Sequence, residues 1–208
     1  MHRAIALPAI VVLFTSTLAV RASEYVVANE AISADEVIRI DRPGVLDRSG
    51  ATYLLTRNVT APRTAFMVKG DGITLDLGGH VATYGTEVGV DYCHGVFLRP
   101  GGGEETFTGV PKDGFGGGNQ FTVKNGRVVQ GKQPVAPPGS ITYQNGRIIK
   151  EEGDHPRPGR YCHAVYIRGC DGFLVDGVTT DVNSRDSNNI HILYCKSGEI
   201  ANNHCIST

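Results

Sequence analysis

Hydrophobic and polar positions alternate along this chain in short bursts. Phe66-Met67-Val68, Ile73-Thr74-Leu75, Val96-Phe97-Leu98, Phe121-Thr122-Val123, Val165-Tyr166-Ile167 and Ile190-His191-Ile192 all have apolar first and third positions, and Gly, Asp or Asn soon follows each. A period of two marks a strand with one buried face, and those small polar residues mark turns. Beyond residue 22 no apolar stripe of helical period persists for more than two turns, Ala31 to Val37 being the one exception to consider. The pattern predicts an all-β chain of short strands.

The bursts also repeat. Tyr92-Cys93-His94-Gly95-Val96-Phe97-Leu98-Arg99 returns 69 residues later as Tyr161-Cys162-His163-Ala164-Val165-Tyr166-Ile167-Arg168, identical at five of eight positions. A weaker copy, Ala65 to Asp76, precedes them, and Ile190-His191-Ile192-Leu193-Tyr194-Cys195 follows 25 residues after Val165. Each unit reads as a short strand, a Gly/Asp corner, a second strand and a loop. Such a unit cannot bury its apolar face alone, whereas stacked copies build a continuous core. The repeats run over about 65–85, 95–131, 164–184 and 189–208, with an insertion at Gly101 to Gly118 and a long connection over 132–160. Within that connection Gln144-Asn145-Gly146-Arg147 echoes Lys124-Asn125-Gly126-Arg127, which suggests a further partial repeat.

Ile73-Thr74-Leu75-Asp76-Leu77-Gly78-Gly79-His80 resembles an early coil of many secreted proteins of the pectin-lyase-like superfamily. Ser197-Gly198-Glu199-Ile200-Ala201-Asn202-Asn203-His204-Cys205-Ile206 resembles one of their later coils, in which Asn residues stack at a turn. The likeness covers about 50–208. It implies a single-stranded right-handed parallel β-helix with an N-terminal cap and loop insertions, and by resemblance alone it leaves room for Ca as a cofactor; none is evident in the residues. The expected organisation is a signal peptide over 1–22, a cap over 23–62 and a β-helix over 63–208 that continues beyond the end as part of a longer protein.

Register turns the repeats into a surface map. With Phe66/Val68, Val96/Leu98, Val165/Ile167 and Ile190/Ile192 inward, alternation sends the residues between them outward. One outward column is then Met67, Phe97, Tyr166, His191, and a second is Lys69, Arg99, Arg168, Leu193. Aromatic faces stack on sugars and Arg forks grip uronate carboxylates. Lys69, Arg99, Arg168, Phe97 and Tyr166 are therefore the expected binding residues for an acidic polysaccharide. The competing reading is that outward positions of any parallel sheet tolerate such residues.

If the chain is catalytic, β-elimination at a uronate is the reaction these residues suit. Arg99 and Arg168 would neutralise the carboxylate, and His191, Tyr166 or His163 would move protons. Hydrolysis would need two carboxylates; Asp76, Asp176, Asp181 and Asp186 read more simply as turn residues. Polygalacturonases of the superfamily carry an Asp-Asp pair and a Gly-His-Gly tripeptide, and its classical pectate lyases an Arg-x-Pro-x-x-Arg segment. This chain has no Asp-Asp, offers Gly78-Gly79-His80 and Cys93-His94-Gly95, and its Arg157-Pro158-Gly159-Arg160 departs from the lyase pattern. A polysaccharide lyase or glycosidase thus stands beside a non-catalytic carbohydrate-binding or adhesion β-helix. A periplasmic β-helix of the metal-delivery kind is disfavoured by ligand spacing.

Composition narrows this further. Met1-His2-Arg3, the apolar run to Val20 and Val20-Arg21-Ala22 form a secretory signal, cleaved after Ala22. The expected locations are secreted or periplasmic, with no membrane association after cleavage. Cleavage removes Arg3 and Arg21 and no acid, leaving 18 basic against 21 acidic residues and a formal charge of −3. That balance gives no general attraction to nucleic acid. The five cysteines lack Cys-x-x-Cys spacing, so no metal site is expected. Cys93 with Cys162, and Cys170 with Cys195, could bridge stacked repeats or remain a reduced stack. A monomer is expected.

Overall fold

Alternating bursts rich in β-branched and aromatic residues suit half-buried strands, and a recurring corner lets them stack. The structure, a computed structural model, describes residues 36–98, 119–132, 141–144, 147–151, 159–184 and 186–207. The expected signal peptide, Arg99 and the insertion 101–118 lie outside the described residues. The strands are β1 (Val37–Ile40), β2 (Gly44–Leu46), β3 (Thr52–Leu55), β4 (Val59–Thr60), β5 (Phe66–Val68), β6 (Thr74–Asp76), β7 (Val81–Tyr84) and β8 (Val96–Leu98). They continue with β9 (Phe121–Gln130), β10 (Ile141–Gln144), β11 (Arg147–Glu151), β12 (Val165–Arg168), β13 (Asp171–Val182), β14 (Ile190–Leu193), β15 (Lys196–Ala201) and β16 (His204–Ser207). No helix occurs among the described residues, and the chain is all-β with parallel sheets.

Among those residues one sheet has five strands in the order β14-β12-β8-β5-β2. A larger one runs β1-β3-β6-β9-β13-β15, with β4, β7 and β16 joined at its side. Every pairing in both is parallel. Each repeat gives one strand to the five-stranded sheet and two segments to the larger sheet. In β9 and β13 those two segments form one strand bent at Asn125 (φ 58°) and Gly177 (φ 62°). The corner between the sheets is built alike in five successive repeats. Gly50, Gly72, Gln120, Gly172 and Ser197 fall at one register position, with φ of 75°, 63°, 59°, 81° and 48°. This left-handed conformation is cheap for Gly and strained for other residues.

The residues expected to face inward do so. Phe66, Val68, Val96, Leu98, Val165 and Ile167 are buried, stacked with Leu75, Val123 and Val175 from the larger sheet. Ala82, Val128 and Thr180 form another inward column. Thr180 is 0% exposed, and its Oγ1 has no hydrogen-bond partner among the described residues. A buried hydroxyl without a partner costs about 1–3 kcal/mol. Thr180→Val should therefore stabilise the protein by about 1 kcal/mol, read as a higher urea midpoint with unchanged slope.

Two expectations change. Residues 23–62 were expected to cap the stack, yet their described part supplies β1–β4, paired in register with both sheets like the later repeats. The echo at 141–151 is not a further parallel rung: β10 and β11 pair antiparallel with each other.

Candidate functional site

The expected aromatic column forms in register: Met67 pairs with Phe97, Phe97 with Tyr166 and Tyr166 with His191. The stacking distance of parallel strands, ~4.8 Å, brings successive rings into contact. Phe97 and Tyr166 have centroids 5.3 Å apart at 26°, and Tyr166 and His191 are 4.9 Å apart at 19°.

Beside this column lies a second set of residues, just upstream of each strand in the five-stranded sheet. Backbone bonds Ala65 N to His94 O, Gly95 N to His163 O and Ala164 N to Asn188 O place Thr64, His94, His163 and Asn188 at one register position. Their side chains stitch the repeats together. The His94 N–H donates to Thr64 Oγ1 at 3.2 Å, the His163 N–H to His94 Nδ1 at 3.2 Å, and the Asn188 N–H to His163 Nδ1 at 2.9 Å. Each backbone amide at this corner thus meets an acceptor supplied by the preceding repeat.

This ladder settles the protonation chemistry of His163. A ring nitrogen that accepts a hydrogen bond carries no proton, so neutral His163 holds its proton on Nε2. That Nε2–H then donates to His191 Nδ1 at 2.9 Å. Both nitrogens of His163 are therefore engaged. The ring is 3% exposed, and burial, followed by the neighbouring His94 and His191, pushes its pKa down to about 3. A group held neutral this firmly, with its basic nitrogen facing an N–H, makes a poor general base at ordinary pH.

Phe97 and Tyr166, expected on the outer face, do not meet solvent; they are 7% and 4% exposed. Part of the reason is that His94 packs on Phe97 at 4.9 Å and on Tyr166 at 5.0 Å, while His163 packs on Tyr166 at 5.2 Å. The cationic column is also changed. Lys69 is exposed, but Arg168 is buried with its guanidinium 5.6 Å from the Tyr194 ring centre, and Arg99 lies outside the described residues. His191 and Met67 are half-buried.

The carboxylates Asp76 and Asp176 serve the bend. Asp76 accepts from the Gly78 N–H at 2.9 Å and lies 3.6 Å from Lys124 Nζ. Asp176 accepts from Asn202 Nδ2 at 2.8 Å. Cys93, Cys162, Cys170 and Cys195 carry free thiols. Among the described residues no three His, Cys, Asp or Glu side chains gather in a way that could hold a metal ion.

An open groove of about 480 Å³ follows the left-handed corner of the larger sheet, lined by Gln120, Thr122, Phe173, Leu174, Ser197 and Glu199. It offers amide and hydroxyl groups beside one half-buried aromatic ring. The burst pattern marked the strands here; the groove was missed because its lining comes from three repeats at a corner. Comparisons of the chain with family models, curated proteins and solved structures gave no match.

Proposed function

We propose that this chain is a right-handed parallel β-helix, resembling the pectin-lyase-like superfamily, that is exported and binds a polysaccharide without cleaving it. The observation that carries the non-catalytic reading is the state of two of the three residues expected to move protons. His163 has both nitrogens committed to structural hydrogen bonds, and Tyr166 is buried. The groove along the corner suits a sugar better: hydroxyls and an amide can exchange hydrogen bonds with sugar hydroxyls, and half-buried Leu174 adds an apolar edge.

Charge argues for a neutral glycan in that groove, since Glu199 lines it and Asp171 stands at the same corner. A second reading, an acidic glycan bound or eliminated at the five-stranded sheet, is favoured by exposed Lys69. The full chain should retain soluble neutral β-glucan or xylan in affinity electrophoresis and release no unsaturated uronate absorbing at 235 nm from pectate or alginate. Glu199→Lys, on an exposed strand position, should weaken neutral-glycan retention at least threefold and bring in acidic glycan. Uronate release by the unaltered chain, or equal retention of neutral glycan by Glu199→Lys, would overturn the reading.

A further inference from the structure

We propose that Cys93 and Cys162 form a redox pair, closing to an inter-repeat disulfide under a small peroxide, and that the similarly stacked Cys170 and Cys195 do not. This rests on the thiol geometry and is independent of any glycan. Tyr92 N bonded to Arg160 O and Gly95 N bonded to His163 O place Cys93 and Cys162 at one register position of adjacent repeats. Parallel neighbours lie ~4.8 Å apart, inside the ~4.4–6.8 Å Cα separation a disulfide accepts.

Both pairs satisfy that spacing, so the direction of the sulfurs decides between them. Cys93 Sγ and Cys162 Sγ both donate to the same carbonyl, Val90 O, at 3.7 and 3.5 Å. They are therefore held on one side of the corner. Cys170 Sγ instead donates to Gly172 O at 3.1 Å, while Cys195 Sγ turns to Leu193 O at 3.3 Å and Ile167 O at 3.5 Å. Cys195 Sγ also accepts the Cys170 backbone N–H at 3.4 Å. Cys162 and Cys195 make matching contacts, so the pairs differ at the earlier cysteine: Cys93 turns toward the carbonyl its partner shares, and Cys170 turns away to Gly172 O.

The closeness of the two thiols also divides the labour. The neighbouring Cys93 thiol holds the Cys162 thiol below its ordinary range, while Cys93 itself is pushed up. Cys162 is thus the attacking sulfur. Its thiolate attacks a peroxide oxygen: an S–O bond forms, the O–O bond breaks and hydroxide leaves. Cys93 then attacks the Cys162 sulfenic sulfur: the S–S bond forms, the S–O bond breaks, and the oxygen departs as water with the Cys93 proton. Two thiols and one hydrogen peroxide give one disulfide and two waters. The bond would tie the corners on either side of the chain between residues 93 and 162.

The test uses the reduced full-length chain, treated with stoichiometric hydrogen peroxide, quenched by alkylation and mapped by mass spectrometry without reduction. The expected result is a Cys93–Cys162 cross-linked peptide, with Cys170 and Cys195 alkylated, and a melting temperature raised by several degrees that reductant restores. Cys162→Ser should abolish the cross-link with native circular dichroism; Cys93→Ser should leave Cys162 trapped as a sulfenic acid, captured by dimedone. A Cys170–Cys195 cross-link formed first, or Cys93 and Cys162 both alkylated after peroxide, would overturn the proposal.

Discussion

Gly95→Ala should destabilise the protein by roughly 3 kcal/mol. A Cβ at Gly95 would collide with Val128 Cγ1 and come within 2.5 Å of Ala164 O and 3.1 Å of Tyr84 Cδ1. Val128 belongs to the core, and Ala164 O receives the Val96 N–H at 2.8 Å, so neither can retreat without opening the stack. The equivalent residues Ala65 and Ala164 carry the methyl group; at Gly95 the space is taken by Val128 and by Tyr84, whose hydroxyl donates to Cys162 O at 2.8 Å. Gly44→Ala, where nothing lies within 4 Å, is the control and should change stability by no more than about 0.5 kcal/mol. Urea unfolding followed by far-ultraviolet circular dichroism reads both.

Acid should weaken the stack through His163, well above the pH at which this ring itself titrates in the folded protein. Its folded pKa is pushed down to about 3, whereas an unfolded histidine titrates near ~6.5. Between those values the unfolded chain binds the extra proton and the folded one does not, so stability rises with pH. The contribution is fully present above about pH 6.5 and falls as pH drops toward 3, by up to about 1.4 kcal/mol per unit. From pH 6 to pH 4 the expected loss is roughly 2 kcal/mol. The groups packed around the ring are His94, His191 and Tyr166.

His163→Asn separates this contribution from the general acid sensitivity of carboxylates. Asn Oδ1 sits where His Nδ1 does and can accept the Asn188 N–H, as the acceptors Thr64 and His94 do in earlier repeats. The variant loses the Nε2 bond to His191 and about 1 kcal/mol at pH 7. Its stability should then fall less steeply than that of the unaltered protein between pH 6 and 4. Parallel slopes for the two proteins would show that His163 takes up its proton as readily folded as unfolded.

The stacking register was legible because it is written twice. The 69-residue return of Tyr-Cys-His-x-Val pairs Val96 with Val165, and the 25-residue step pairs Val165 with Ile190, as observed. Exposure was not legible. Alternation says which face Phe97 and Tyr166 occupy, but not that His94 and His163 pack against their rings. The ladder was within reach: aligning the repeats two residues upstream of the strands lines up Thr64, His94, His163 and Asn188, four residues whose side chains can accept a hydrogen bond. The echo at 144–147 misled because Asn-Gly serves two ends. In β9 both flanks find parallel neighbours and Asn125 turns at φ 58°, whereas β10 and β11 find each other.

The corner ladder carries the account of why the histidines are structural, and imidazole nitrogen chemistry reports on it directly. A long-range proton–nitrogen spectrum of the uniformly ¹⁵N-labelled chain, with His163 assigned by comparison with His163→Asn, should be recorded at pH 5.5. The account predicts a neutral His163 ring with bare Nδ1 and protonated Nε2, unchanged from pH 7.5. A charged imidazolium at pH 5.5, or a proton on Nδ1 at either pH, would contradict it.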